Sequence, residues 1–267
     1  MLKFISFGSG SSGNCYYLYT ETDGLIIDIG VGLRTLKKHF RDYGLSLSSI
    51  HYVLITHDHA DHIKSVGSIS HEYNLPIYAT ENVHEGIDRN YCITRKLPST
   101  MRRVLVPGHP LQLGSFLVTP FSVPHDATEN VGYLVKVDNV NFCIITDVGE
   151  VTDEIKQYII QADYLVIEAN HDIEMLEQGP YPQHLKDRIR SKIGHLSNKD
   201  CGIAIAENMK EGLHHVWLCH LSEENNHPEL ARKTVESVLR NYGIVAGKDF
   251  ILEVLKRKTP TGPYELK

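Results

Sequence analysis

Nowhere does the chain carry 18 consecutive apolar residues, so no segment reads as a membrane-spanning helix. The start, Met1-Leu2-Lys3-Phe4-Ile5-Ser6-Phe7, is too short an apolar stretch, and too polar afterwards, for a secretory leader, which makes the cytoplasm the expected location. A closed disulfide framework is equally out of reach. The five cysteines are odd in number, stand at positions 15, 92, 143, 201 and 219, and form no CxxC pair. They are expected to be reduced thiols in the core. Nor is there an excess of positive charge: Lys and Arg total 27 against 33 Asp and Glu, a net charge of -6, which argues against a surface coated for long nucleic acids. Local basic runs remain, at Arg89, Arg95, Lys96, Arg102 and Arg103 and at Lys186, Arg188, Arg190 and Lys192, and each reads first as a solvated face. No Pro-, Gly- or Ser-rich linker and no internal repeat divides the sequence, so a single domain over 1–267 is the expectation.

What the chain has in quantity is histidine, 16 residues, and one stretch concentrates three of them: His57-Asp58-His59-Ala60-Asp61-His62. It follows Tyr52-Val53-Leu54-Ile55-Thr56, an uncharged, β-branched run that reads as a buried strand. Metal-type side chains therefore stand where a strand ends and a loop turns outward, the place where an open sheet presents its chemistry. Exposed histidines in a polar loop are the alternative, but this pattern should arise by accident in only about 0.3% of chains of this length. In an extended turn alternate residues point the same way, so His57 and His59 can share one cation while Asp61 and His62 point elsewhere. One tetrahedral ion cannot use so many ligands, and the set suggests two adjacent metals.

Around this motif the pattern is that of an α/β chain. Residues 2–7, 15–19, 25–29, 76–80, 104–106, 116–123, 131–137, 141–146 and 164–168 read as strands. Residues 64–73 and 151–162 read as helices, as does an amphipathic segment carrying Leu33, Leu36, Phe40 and Tyr43 and stopped by Gly44. The glycine loop Gly8-Ser9-Gly10-Ser11-Ser12-Gly13-Asn14 tempts a phosphate-cradle reading, yet it lacks the closing Lys and Ser/Thr of a P-loop and precedes a strand. Residues 82–103 look irregular and basic, an insertion expected to overhang a site and meet substrate. The tail from Lys256 onward is expected to fray.

The HxHxDH pattern resembles the signature of the metallo-β-lactamase fold superfamily, and the likeness extends along the chain. It implies an α/β (α+β) four-layer αββα sandwich. It also implies further metal ligands at His125, at Asp147 as the bridge and at His220, each closing an apolar strand. Cys219 neighbours His220, but on a strand its side chain points the other way, and it is left out. Asp28, in Asp28-Ile29-Gly30, resembles the family's early Asp-x-Gly element, with the role of hydrogen-bonding the metal loop rather than touching metal.

The ligands alone leave thioester, lactone and phosphodiester hydrolysis open, since all three use a metal-activated hydroxide. Glu168, in Glu168-Ala169-Asn170-His171-Asp172, and His195, in Gly194-His195-Leu196-Ser197-Asn198, resemble the carboxylate and histidine of phosphodiesterase members such as tRNase Z. Ser197 could cap the helix that follows, with Asp200. Phosphodiester cleavage expels a poor alkoxide, so a protonated histidine adds general-acid catalysis. His195 is the candidate acid, with Glu168 orienting it and His171 a competitor. The combination with Leu185-Lys186, Arg188-Ile189, Asn225-Asn226 and the glycine loop is similar to the YycJ/WalJ-like bacterial branch, regarded as DNA-acting exonucleases or phosphodiesterases.

Ribonuclease J and its relatives insert a large domain between the positions of Asp147 and His220, where only about seventy residues lie here. A short footprint is implied: a nucleic-acid end, an oligonucleotide or a small phosphodiester, with no membrane partner. The resemblance gives one divalent ion to His57, His59 and His125 and a second to Asp61, His62 and His220, with Asp61 counted also among the catalytic groups. A shared hydroxide would attack phosphorus. Zinc or manganese suits these nitrogen and oxygen donors, iron less so. His171, Asn198 and Arg188 are candidate substrate contacts.

Overall fold

The computed structural model describes all residues, Met1–Lys267. Its first sheet contains β1 (Leu2–Gly8), β2 (Cys15–Tyr19), β3 (Gly24–Ile27), β4 (Tyr52–Leu54), β5 (Ile77–Ala79) and β6 (Arg102–Val104), with β14 (Thr261–Leu266) at the far edge. The order is β14-β1-β2-β3-β4-β5-β6. The second sheet contains β7 (Leu111–Leu113), β8 (Phe116–Ser122), β9 (Val131–Val137), β10 (Val140–Ile145), β11 (Tyr164–Glu168), β12 (His215–Cys219) and β13 (Ile251–Val254), in the order β13-β12-β11-β10-β9-β8-β7. Both are mixed. In the first sheet β3 to β6 run parallel and the remaining pairs antiparallel; in the second, β10 to β13 run parallel.

Helices join the parallel strands: α1 (Leu33–Asp42), α2 (Ala60–Ile63), α3 (Val66–Tyr73) and α4 (Glu81–Arg89) in the first half, then α5 (Asp153–Ile159), α6 (Ile173–Gln178), α7 (Gln183–Ile189), α8 (Asn198–Asn208) and α9 (Pro228–Asn241). The chain forms two compact units, one of Met1–Pro120, Ala127–Val131 and Lys256–Lys267, the other of Phe121–Asp126 and Gly132–Leu255. In the first, Leu36 and Phe40 of α1 and Ile69 of α3 pack with Ile26, Val53, Ile55 and Ile77. In the second, Ile155, Ile205 and Val235 of three helices pack with Cys143, Leu165 and Leu218 of three strands. Each such side chain, removed wholly from water, contributes about 1.5–3 kcal/mol. These cores hold the strands still, so the residues just past the carboxyl ends of β3, β4, β10, β11 and β12 are placed by rigid elements.

Two expectations are corrected. Residues 82–103 are not irregular throughout, because α4 opens the segment: Thr80 accepts a hydrogen bond from Val83 N as its cap, and Val83 and Ile87, one turn apart, are buried. The polar residues between them hide that apolar pair from a sequence reading. The tail does not fray. It forms β14, antiparallel to β1 with Leu2 opposite Leu266, which is 2% exposed. Pro263 is tolerated because this is an edge strand, where a ladder donor can be spared.

Candidate metal centre

In the first unit the motif begins where β4 ends. His57 and His62 are fully buried and His59 and Asp61 partly so, with Asp61 and His62 on the short helix α2. Asp28 anchors them from the end of β3. Its Oδ1 accepts from Thr56 N at 2.8 Å, while Oδ2 accepts from Thr56 Oγ1 at 2.8 Å and from His62 Nδ1 at 2.7 Å. Since the Thr56 hydroxyl proton is committed to Asp28, its oxygen accepts from His57 Nδ1 at 3.0 Å. Asp58 faces away from this set, accepting from Thr128 N at 3.0 Å and from its hydroxyl at 2.6 Å.

The glycine loop is a clamp on the motif rather than a phosphate cradle. Asn14 N donates to Asp61 O at 2.8 Å, and the Asn14 Nδ2 lies 3.2 Å from Asp61 Oδ2 and 2.9 Å from His62 Nε2. Its Oδ1 accepts from Gly10 N at 2.8 Å and Tyr16 OH at 3.2 Å. Gly30 allows the approach: a Cβ there would stand 1.5 Å from Asp61 O.

In the second unit, donor atoms of Asp147, Glu168, His195 and His220 all lie within 4.8 Å of one another. Glu168 is the hub. Oε1 accepts from His195 Nδ1 at 2.8 Å and His220 Nδ1 at 2.9 Å, and Oε2 accepts from Val148 N at 2.9 Å and Leu196 N at 3.1 Å. Asp147 Oδ1 is 3.2 Å from His220 Nδ1, and its Oδ2 accepts from Thr146 Oγ1 at 2.7 Å. His125 donates through Nδ1 to Gly194 O at 2.9 Å. Asp28, Asp147 and His220 all adopt left-handed backbone, φ 59, 54 and 51 degrees. Non-glycine residues rarely do so, and held strain of this kind concentrates at functional sites.

Burial alone would raise the pKa of Glu168, but the charge of His195 and the hydrogen bonds from His195 and His220 outweigh it and hold the carboxyl well below the usual range. His195 moves the opposite way: burial favours its neutral form, and the charge of Glu168 more than reverses that, raising its pKa. His171 is depressed to about 4, because burial outweighs its acidic surroundings. It is neutral at pH 7, so it does not carry the proton expected of a general acid.

The residues fit a divalent ion by their donor chemistry. His57, His125 and His220 each spend Nδ1 on an oxygen acceptor, which fixes the tautomer and leaves the Nε2 lone pair for a metal; His62 spends Nδ1 on Asp28 in the same way, but its Nε2 meets the Asn14 amide at 2.9 Å, a contact that an ion would replace. Two aspartates, Asp61 and Asp147, supply hard oxygen. Cys219 stands in none of the donor groups, and burial pushes its thiol pKa well up, so it offers no thiolate.

Of the three candidate substrate contacts, His171 and Asn198 are brought together, Asn198 N donating to His171 O at 2.9 Å, and Arg188 is not joined to them. Asn198 is buried and exchanges hydrogen bonds with Asn226 through both amide atoms, at 3.0 and 2.8 Å, and Asn226 in turn donates to Ala169 O and Asn170 O. Arg188 pairs with Asp126, the neighbour of His125. Ser197 caps α8 as expected, accepting from Asp200 N at 3.1 Å. The residue that sequence reading missed is Asn14: it was visible only as part of a flexible loop.

Comparison with known proteins agrees with this architecture. Residues 25–220 match the family model of the beta-lactamase superfamily domain. The chain is 35% identical to the exodeoxyribonuclease YycJ of Bacillus anthracis over 97% of both chains. It is 34% identical to the exodeoxyribonuclease WalJ of Streptococcus pneumoniae serotype 2, over 93% of this chain and 92% of that one. Among solved structures, the metallo-beta-lactamase fold protein YhfI from Bacillus subtilis superposes with a TM-score of 0.71 at 18% identity, covering 97% of this chain and 98% of that one. Two mixed sheets with flanking helices, a histidine- and aspartate-rich motif at the strand ends and these similarities place the chain in the beta-lactamase superfamily, as a metal-dependent hydrolase related to YycJ and WalJ.

Proposed function

We propose that the protein is a two-metal phosphodiesterase that shortens DNA from a strand end. The observation that carries the reading is the fully buried Glu168 carboxylate accepting from His195 Nδ1, an arrangement that favours the protonated imidazole. An acyl transfer would gain less from such an acid than expulsion of a sugar alkoxide does. The names of the 35% and 34% identical relatives favour DNA as the substrate.

In this reading His57, His59 and His125 would hold one divalent ion and Asp61, His62 and His220 a second, with Asp147 as a further carboxylate donor. Zinc or manganese fits the nitrogen and oxygen donors. When bound, the ions supply Lewis-acid polarisation and offset the charge that develops on the phosphoryl group. Glu168 fixes His195 by Nδ1, so the proton on Nε2 is the one given to the leaving oxygen. Glu168 stays a carboxylate throughout. His195 keeps 20% of its side chain exposed, enough for a leaving group to reach it.

The test is hydrolysis of bis-p-nitrophenyl phosphate beside 5'- and 3'-labelled single- and double-stranded DNA, with manganese or zinc added to metal-stripped protein. Cleavage of DNA that disappears in Asp147→Ala is the expected result. Hydrolysis of the small diester alone would instead make the protein a small-molecule phosphodiesterase. Silence on both, with metal bound, would shift the reading to lactone or thioester hydrolysis.

A further inference from the structure

Several cations of this chain meet an acid within it. Arg102 pairs with Asp88, Arg188 with Asp126, Arg190 with Glu177 and Asp187, Lys192 with Glu150, Lys210 with Asp163, and Arg232 with Glu229 and Glu236. The basic run of Arg188, Arg190 and Lys192 is thereby neutralised, whereas in the other run only Arg89 and Arg102 meet acids. The outer face of α1 differs. Arg34, Lys37, Lys38 and Arg41 are all exposed and line one shallow surface groove. Lys37 meets Glu72, and Arg41 lies 3.9 Å from its neighbour Asp42, while Arg34 and Lys38 have no ion pair.

This face is built against helix electrostatics. Arg34 and Lys38, and Lys37 and Arg41, are like charges at i,i+4 and repel. The first turn of α1 contains no acid and does contain Arg34, which faces the positive end of the helix dipole. A solvated helix face ordinarily mixes signs. Breaches of local rules without local compensation mark positions kept for another purpose.

The start of α1 is also tied to the metal motif. Exposed Lys64 directly follows His62 and Ile63, and the next residue, Ser65, donates from Oγ to Val31 O at 2.8 Å, immediately before α1. Arg34, Lys38 and Arg41 share the α1 groove, Arg34 to Arg41 spanning about 10 Å of helix, and Lys64 is tied to the start of that helix through its neighbour Ser65. We propose that Lys64, Arg34, Lys38 and Arg41 form a track for the phosphate backbone of single-stranded DNA, feeding the strand end to the metal motif. The inference rests on the nuclease reading and adds where the strand runs.

The test compares the metal-loaded protein with Arg34→Gln/Lys38→Gln and, as a control for net charge, Lys233→Gln/Lys248→Gln, two exposed lysines of the second unit without ion pairs. Turnover of a labelled single-stranded oligonucleotide is followed across roughly 50–200 mM salt, with bis-p-nitrophenyl phosphate in parallel. Each lost phosphate contact should flatten the slope of log kcat/KM against log salt by about 0.7. The α1 pair should therefore flatten by about 1.4 and lose about tenfold in kcat/KM at low salt, with small-diester turnover and melting temperature unchanged and the control pair like wild type. Equal slopes in all three proteins, or equal losses in both variants, would overturn the track while leaving the nuclease reading in place. Wild-type protein that cleaves the small diester but no DNA would overturn both.

Discussion

Glu168 bears on two histidines at once, and that changes what its removal would report. Because Oε1 accepts from His220 as well as His195, Glu168→Gln should disturb metal binding along with acid catalysis. His195→Ala is the cleaner probe. It is expected to lower kcat on DNA by about 10²- to 10⁴-fold, with a much smaller loss on bis-p-nitrophenyl phosphate, whose leaving group needs little protonation, and with bound metal unchanged by elemental analysis. Equal losses on both substrates would remove the acid role. The pH profile follows from the shift. His195 has a raised pKa, so its protonated form outlasts that of an ordinary histidine, and kcat should fall only as pH climbs through that raised value. In Glu168→Gln the raising charge is gone, so the alkaline limb of kcat, normalised to bound metal, should move to lower pH. Asn14 makes a second residue-scale case. It is fully buried and its amide reaches both Asp61 Oδ2 and His62 Nε2. Asn14→Ala should weaken metal affinity by about 10- to 100-fold in a competitive chelator titration. Denaturant unfolding should show a stability loss of about 1–3 kcal/mol from the buried Gly10 N–H left unsatisfied.

At the scale of elements, legibility followed periodicity. β2, β9 and β11 were readable to the residue, because uninterrupted β-branched and aromatic runs allow one reading. The motif's position past β4 was readable for the same reason. Three things were not. The left-handed backbone at Asp28, Asp147 and His220 depends on what the following turn must reach, which no local pattern encodes. α4 was hidden because its two core residues are separated by polar ones. β14 was hidden because a basic run and a proline precede a strand whose pairing partner, β1, lies some 260 positions away in sequence. That strand gives a sharp test. Leu266 is 2% exposed at the end of β14, so Leu266→Ala should cost about 2–5 kcal/mol in urea unfolding. A change below about 0.5 kcal/mol, the level of an ordinary surface site, would mean that the end of the strand frays like an exposed tail and that β14 adds little to the first sheet.

For the whole molecule, the relevant fact is how much polar and ionisable surface has been taken out of water. His57, His62, Asp28, Asp147, Glu168 and His220 are all buried, at 6% exposure or less. Hydrogen bonds repay part of that cost. An ion that binds the folded chain and not the unfolded one adds stability of RT ln(1 + [M]/Kd), about 2.7 kcal/mol when free metal stands at 100 times Kd. For a chain of this size each kcal/mol corresponds to a melting shift of about 2–4 °C. Protein stripped with a chelator should therefore melt roughly 5–11 °C below protein held at that excess of zinc or manganese. The shift should grow with the logarithm of free metal. Asp147→Ala should shrink the shift even where its apo melting temperature resembles wild type, because the ligand and not the fold has been removed. Melting temperatures that ignore metal across several decades of concentration, in protein that elemental analysis finds stripped, would mean that these histidines and aspartates are held by their own hydrogen bonds alone, and the assignment of a metal centre would fall.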